Sequence, residues 1–266
     1  MSGRVAVVTG AARGIGAATV LALAAAGWSV LAVDSTADDP ALPYPMATPD
    51  DLAGVVRRAG ESAGDGRVRP FQADVRDGDA LAAAVAEAEQ CWGGLDAAIA
   101  AAGVIGGGAP LWEVPPARQQ TVLDVNLGGV LSLARAAVPA LLRRPVPRSG
   151  RFLAVASAAA TRGLPMLAAY CAAKAGVTGL IRALAAELAD SGVSANAVSP
   201  GSTATPMLDE SARLYRLSGA EEFAGQQPAG RLLDPAEVAA VLAFLASQAS
   251  SGMTGAIVAV DGGLAL

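Results

Sequence analysis

Short aliphatic and β-branched runs recur along this chain, near residues 5–9, 29–33, 68–72, 97–100, 152–156, 194–199 and 257–260. Most of them lack the polar/apolar alternation of a strand with one wet face, so they read as strands covered on both sides. Between them lie longer Ala- and Leu-rich stretches, near 14–26, 49–60, 77–91, 115–142, 165–189 and 235–247, which read as helices. Buried strands alternating with helices leave few architectures open. The pattern predicts an α/β, doubly wound sheet of seven parallel strands with helices on both faces. No internal repeat or linker interrupts it, so residues 1–266 are expected to form a single domain.

Composition removes several kinds of function. The 266 residues carry a net charge of −5 and no run of Lys or Arg, so no nucleic-acid or anionic-membrane surface is expected. There is no histidine. That excludes histidine triads and most zinc sites, and no metal is expected. Acid–base chemistry must fall to Tyr, Lys, Asp, Glu, Ser or Cys. Cys91 and Cys171 match no metal-ligand spacing and read as free thiols in a reducing compartment. The longest uncharged run, 238–260, is broken by Ser247, Gln248, Ser250, Ser251 and Gly252 into a helix and a strand. The first strand already starts at Arg4, leaving no room for a leader, and the chain is expected to be soluble and cytoplasmic.

The segment VVTGAARGIGAA follows the first strand and opens a helix. Gly10, Gly14 and Gly16 permit a tight turn, a close approach of backbone to phosphate, and close helix–strand packing. The free N–H groups at the start of that helix suit a pyrophosphate. Asp34 lies about 20 residues further on, at the end of the second strand, where a carboxylate can accept hydrogen bonds from a ribose diol. A 2′-phosphate there would meet negative charge, which favours NAD over NADP. Arg13, inside the glycine loop, points the other way because it could pair with such a phosphate. An Asp34 that merely caps a helix is the alternative.

Tyr170 and Lys174 are four residues apart and share one helix face. A neighbouring ammonium together with a positive nicotinamide ring would favour the phenolate and lower the Tyr170 pKa from its usual value near ~10. Tyr170 could then take the proton of an alcohol while the carbinol hydrogen leaves to a cofactor, with Ser157, just after the fifth strand, holding the substrate oxygen. Such a Tyr/Lys pair also arises by chance on many helices.

Taken in order, TGAARGIG, ADV at 73–75, Asn126 in VLDVNLGG, Ser157, YCAAK and VSPG at 198–201 resemble the short-chain dehydrogenase/reductase family over almost the whole chain. The resemblance implies a Rossmann-like fold and a catalytic set of Ser157, Tyr170 and Lys174. It implies that Asn126 interrupts a helix and holds a water linking Lys174 to solvent. It places Asp74 and Val75 beside the adenine, and Pro200, Gly201, Thr203 and Thr205 beside the nicotinamide. Ile15, Ser35, Ala101, Ala102 and Gly103 complete the expected cofactor surface. One departure stands out: the family commonly ends its fourth strand NNAG, and this chain has AAAG at 100–103. Ala101 cannot make that Asn's side-chain hydrogen bonds, which puts local rigidity in doubt. The family resemblance also implies a homotetramer.

Residues 35–50 form an insert far longer than the ~2–6 residues usual between strand and helix. Pro40, Pro43, Pro45 and Pro49 stiffen it, and Thr48 with Pro49 suits the start of the next helix. Leaving the sheet at Asp34, it could fold over a bound cofactor, or it could be a surface decoration or a subunit contact. DDPALPYPMATPDDL, AAGVIGGGAPLWE and SAAATRGLPMLAAYCAAK resemble the mycofactocin-associated branch of the family. That resemblance implies NAD held too tightly to exchange and reoxidised in place by mycofactocin. The expected substrate is a small apolar alcohol or its carbonyl, shaped by Trp112, Arg162, Leu164, Met166 and Met207 and by a mobile stretch at 203–227. The alternative is an ordinary 3-oxoacyl-type or carbonyl reductase with exchanging NAD(P)H. A non-catalytic dinucleotide sensor is a third reading, which retention of Ser157, Tyr170 and Lys174 disfavours.

Overall fold

In the computed structural model, which describes residues 3–63 and 66–266, seven strands form a parallel sheet. Residues 1, 2, 64 and 65 of the expected domain lie outside the described residues. The strands are β1 (Val5–Thr9), β2 (Ser29–Asp34), β3 (Val68–Gln72), β4 (Ala97–Ala100), β5 (Gly150–Val155), β6 (Val193–Pro200) and β7 (Ile257–Val260). Their order is β3-β2-β1-β4-β5-β6-β7. Every residue of β1, β4, β5 and β6 is buried, which is why those runs show no alternation. The outer strand β3 does have wet positions, and it carries Pro70, whose missing N–H is tolerated at an edge.

Helices cover both faces. On one lie α1 (Gly14–Ala25), α2 (Pro49–Ala63) and α8 (Pro235–Ala246), burying Val20, Leu23, Val55, Leu242 and Leu245 against the sheet. Full burial of each such side chain contributes roughly 1.5–3 kcal/mol. On the other lie α3 (Gly78–Trp92), α5 (Gly129–Arg143) and α6 (Ala168–Glu187), contributing Leu81, Leu133, Leu141, Val177 and Ile181.

The expected helix at 115–142 runs from Pro116 to Arg143 without a break but is not regular throughout. α4 (Pro116–Leu123) passes through a π-helical turn at Asp124–Gly128 before α5 begins. By length and hydropathy Pro116–Arg143 could cross a membrane, but Val122, Leu133, Ala137 and Leu141 lie in the core beneath it. A second difference concerns residues 203–227, read from sequence as a mobile stretch and given no helix: they contain α7 (Pro206–Tyr215). Thr205 caps α7 by accepting from the Leu208 N–H, and Pro206 occupies its first turn.

Successive connections run outward from β1 through β2 to β3, then return to β4 on the other side of β1. The loops leaving β1 and β4 therefore diverge and open a crevice at the carboxyl edge of the sheet.

Candidate active site

That crevice is a cavity of about 500 Å³. It is lined by Gly10, Arg13, Gly14, Ile15, Gly16, Asp34, Ser35, Asp74, Val75, Ala101, Ala102, Gly103, Ser157, Tyr170, Lys174, Pro200, Gly201, Thr203 and Thr205. Of the catalytic and cofactor-binding residues anticipated from sequence, Asn126 alone stands behind the wall.

At the β1 end the backbone is shaped by glycine. Gly10 and Gly14 have φ of +67° and +56°, and a Cβ on Gly16 would lie 2.0 Å from the Gly10 carbonyl oxygen. No side chain caps α1, because Arg13 at the cap position carries donors and no acceptor. The first N–H groups of α1 therefore face the cavity as donors for an anion, and this cradle fits a dinucleotide pyrophosphate. Asp34 lines the cavity and also holds the loop, its Oδ2 accepting from the Ala12 N–H at 3.0 Å. Arg13 lines the cavity as well, one terminal nitrogen of its guanidinium donating to the Pro45 carbonyl at 3.1 Å.

The insert crosses over this end. Leu42 and Tyr44 pack into the core on the α3–α5 face, whereas Ala47 packs into the core on the α1–α2 face, so the chain passes from one face to the other above the strands. It is tied down at several points. The Ile105 N–H donates to the Tyr44 hydroxyl at 2.9 Å, Arg118 donates to the Ala41 carbonyl at 3.2 Å, and Arg76 pairs with Asp39 at 2.7 Å. Burial pushes the Tyr44 phenol up to about 12. Thr48 and Asp51 then cap α2 reciprocally, as the sequence suggested.

Ala101 leaves no gap in the scaffold. The Ala102 N–H instead donates to Thr9 Oγ1 at 3.4 Å, linking β1 to the β4 loop. Asn126, fully buried in the π-helical turn, donates to the Val104 and Val122 carbonyls at 2.9 and 2.8 Å, and its Oδ1 accepts from the Val104 N–H. Its side chain thus braces the β4 loop. It lies close to Lys174, since a Cβ on Gly103 would be 2.9 Å from Asn126 Oδ1 and 3.7 Å from Lys174 Nζ.

At the β5 end, Ser157 begins a short 3₁₀ turn (Ala158–Ala160), and α6 carries Tyr170 and Lys174 into the same space. Both side chains are buried, and Lys174 Nζ lies 5.7 Å from the Tyr170 ring centre while donating to the Val155 carbonyl at 2.8 Å. Burial alone brings Lys174 down to about 8. The expected lowering of Tyr170 is not what the protein by itself produces. Burial dominates and holds its phenol above the ordinary value, with the Ser157 hydroxyl pulling it part of the way back.

Beyond Tyr170 the wall is mainly apolar, formed by Leu164, Leu167, Met207, Leu208, Leu217, Phe223 and Leu264, with Tyr215 and Arg162 at its polar points. Met207, Leu208 and Tyr215 come from α7. Of the anticipated substrate-pocket residues, Arg162, Leu164 and Met207 line the cavity, whereas Trp112 is 84% exposed on the surface and Met166, at φ +62°, stands outside the lining. Gln227, not singled out from sequence, is buried and holds the turn after β6 through the Ser202 N–H at 2.8 Å. No sequence signal marks it.

A family model described as Enoyl-(Acyl carrier protein) reductase matches residues 10–265. The chain is 40% identical to cis-4-hydroxycyclohexanecarboxylate dehydrogenase of Sinomonas cyclohexanicum, over 98% of this chain and 96% of that one. It is 33% identical to 2,5-dichloro-2,5-cyclohexadiene-1,4-diol dehydrogenase of Sphingobium indicum, over 99% and 97%. Carveol dehydrogenase from Mycobacterium avium in complex with NAD superposes with a TM-score of 0.92 at 33% identity, covering 99% of this chain and 98% of that one.

Proposed function

The chain belongs to the short-chain dehydrogenase/reductase family, and on that premise we propose that it interconverts a cyclic secondary alcohol and its ketone. It is an NAD-dependent oxidoreductase. The observation that carries the reading is that Ser157, Tyr170 and Lys174 share one cavity with the glycine loop and Asp34. Bound NAD supplies the acceptor for the carbinol hydrogen. Tyr170 takes the hydroxyl proton at its phenolic oxygen, and the Ser157 hydroxyl orients the substrate oxygen toward it. The Lys174 ammonium, near the ring, favours the phenolate as the proton arrives and leaves. Asn126 keeps Lys174 in place through the β4 loop. The uncapped start of α1 receives the pyrophosphate, Asp34 the adenosine ribose, Asp74 and Val75 the adenine, and Pro200–Thr205 the nicotinamide.

The insert acts as a lid that retains NAD. Its support is the set of ties that fasten it from the glycine loop to the β4 loop and α4. Retained NAD calls for an external electron acceptor, and mycofactocin fills that role in this reading. Asp34, lining the cavity at the end of β2, would meet a 2′-phosphate with negative charge, which favours NAD over NADP.

The whole chain works as one catalytic domain within a homotetramer, consistent with Leu131 of α5 being 46% exposed and Leu266 fully exposed. The free thiols of Cys91 and Cys171 fit a cytoplasmic setting. The test is to purify the protein without added cofactor, dialyse it exhaustively, denature it and assay the supernatant by mass spectrometry. Near-stoichiometric NAD is expected. An empty supernatant, with fast turnover on added NAD or NADPH, would reduce the insert to decoration.

A further inference from the structure

The cavity's charges are segregated. Its carboxylates, Asp34, Asp39 and Asp74, all belong to the adenosine end, whereas Arg162 stands in the wall of the substrate end. Of the other cations of the lining, Arg13 and Arg76 belong to the adenosine end and Lys174 is buried. Arg13 donates to the Pro45 carbonyl, Arg76 pairs with Asp74 and Asp39, and Lys174 is buried against the Val155 carbonyl. Arg162 has no carboxylate within ion-pair distance among the described residues. One terminal nitrogen donates to the Leu264 carbonyl at 2.8 Å, which leaves most of the guanidinium's five donors open.

Its position relative to the chemistry is set by the chain. Residues 157–162 leave β5 in a tight turn, and the Arg162 N–H folds back onto the Ala158 carbonyl at 2.9 Å. The guanidinium thus rises from the same short loop that presents Ser157, beside Leu164 and Leu264. An apolar wall with a single unpaired guanidinium matches a substrate with an apolar ring and one carboxylate remote from its hydroxyl. Arginine suits the task because its planar fork meets a carboxylate through two parallel hydrogen bonds.

We propose that Arg162 is a specificity residue that binds the carboxylate of a cyclic hydroxy acid while Ser157 and Tyr170 hold its hydroxyl. The inference rests on the alcohol dehydrogenase reading above. It gives that reading an anionic substrate class and accounts for an arginine in a mainly apolar wall.

The experiment compares cis-4-hydroxycyclohexanecarboxylate with its methyl ester on the NAD-loaded protein, using a redox dye as electron acceptor. The wild type is expected to prefer the acid in kcat/KM. Arg162→Gln lowers the acid-to-ester ratio roughly 10- to 100-fold, at the low end of that range because the side chain is exposed. Arg162→Lys restores part of the preference. In the wild type the ratio falls with ionic strength. A ratio unchanged in Arg162→Gln, or a wild type that prefers the ester, overturns the proposal and leaves the alcohol dehydrogenase reading standing. Equal loss on acid and ester would assign Arg162 to anchoring the Leu264 tail instead, and also overturns it. If neither compound is oxidised, even in a single turnover of bound NAD, the alcohol dehydrogenase reading fails with it.

Discussion

Replacing Tyr44 with Phe removes one oxygen from the insert and keeps the ring that packs into the core. The Ile105 N–H, 2.9 Å from that oxygen, belongs to a residue only 2% exposed, so it is left without a partner. An orphaned buried donor costs about 1–3 kcal/mol. The phenol, pushed up to about 12, stays protonated across the working range, so the lost bond is that of a neutral hydroxyl. If opening of the insert limits cofactor exit, the open fraction rises by roughly 5- to 150-fold. The Asp39–Arg76 pair sets the scale from below. Arg76 is 38% exposed at its side chain and keeps Asp74 as a second partner, so Asp39→Asn is worth at most about 1 kcal/mol and is salt-sensitive. The assay loads each protein with NAD, adds excess isotopically labelled NAD and follows exchange by mass spectrometry. Tyr44→Phe is expected to exchange markedly faster than wild type, and Asp39→Asn only slightly faster. A folded Tyr44→Phe protein exchanging at the wild-type rate would refute the reasoning.

Two further outcomes follow from the buried pair on α6. Tyr170→Phe is expected to slow single-turnover reduction of bound NAD by about 10²–10⁴ in stopped flow, the range of general acid–base catalysis; a loss under tenfold would remove Tyr170 from the proton transfer. Lys174 carries a stability cost, since moving its pKa from 10.5 to about 8 corresponds to about 3 kcal/mol. Between those values the unfolded chain binds more protons than the folded one, so wild-type stability should rise with pH across that window. Lys174→Met should be more stable than wild type below pH 8 and lose that advantage by about pH 10.5, read from denaturant midpoints. A constant difference across the range would contradict this account.

The sheet was legible because burial on both faces erases alternation, and the strands that break the rule, β3 and β7, lie at its edges. The glycine loop was legible because strand, turn and helix dictate a backbone that only small residues permit. Less visible was α7. Thr205 followed by Pro206 is a helix start, yet the Ser, Gly and Gln residues downstream made the whole stretch read as mobile. Arg13 was ambiguous because its partner is a backbone carbonyl 32 residues away, and backbone carbonyls leave no trace in a sequence. The same is true of Tyr44, whose partner is a backbone N–H 61 residues distant. The charge on Tyr170 was misjudged for a related reason: proximity to Lys174 is readable from i,i+4 spacing, but the desolvation that outweighs it belongs to the assembled cavity.

The π-helical turn between α4 and α5 restricts how this chain can change length. A regular helix turns about 100° per residue. Deleting one residue from 124–128 while the remaining turn keeps its wide winding would rotate α5 against α4 by about that angle. Leu133, Ala137 and Leu141 would swing off the sheet while α4 stayed in register, and Gly129 would leave its seat against Val75. The insert tolerates length changes differently, since lengthening a surface loop costs only tenths of a kcal/mol per residue. Homologous chains should therefore vary freely in length after β2 and keep the count of residues from α4 to α5 invariant, so that the insert can diversify while the helix stays frozen.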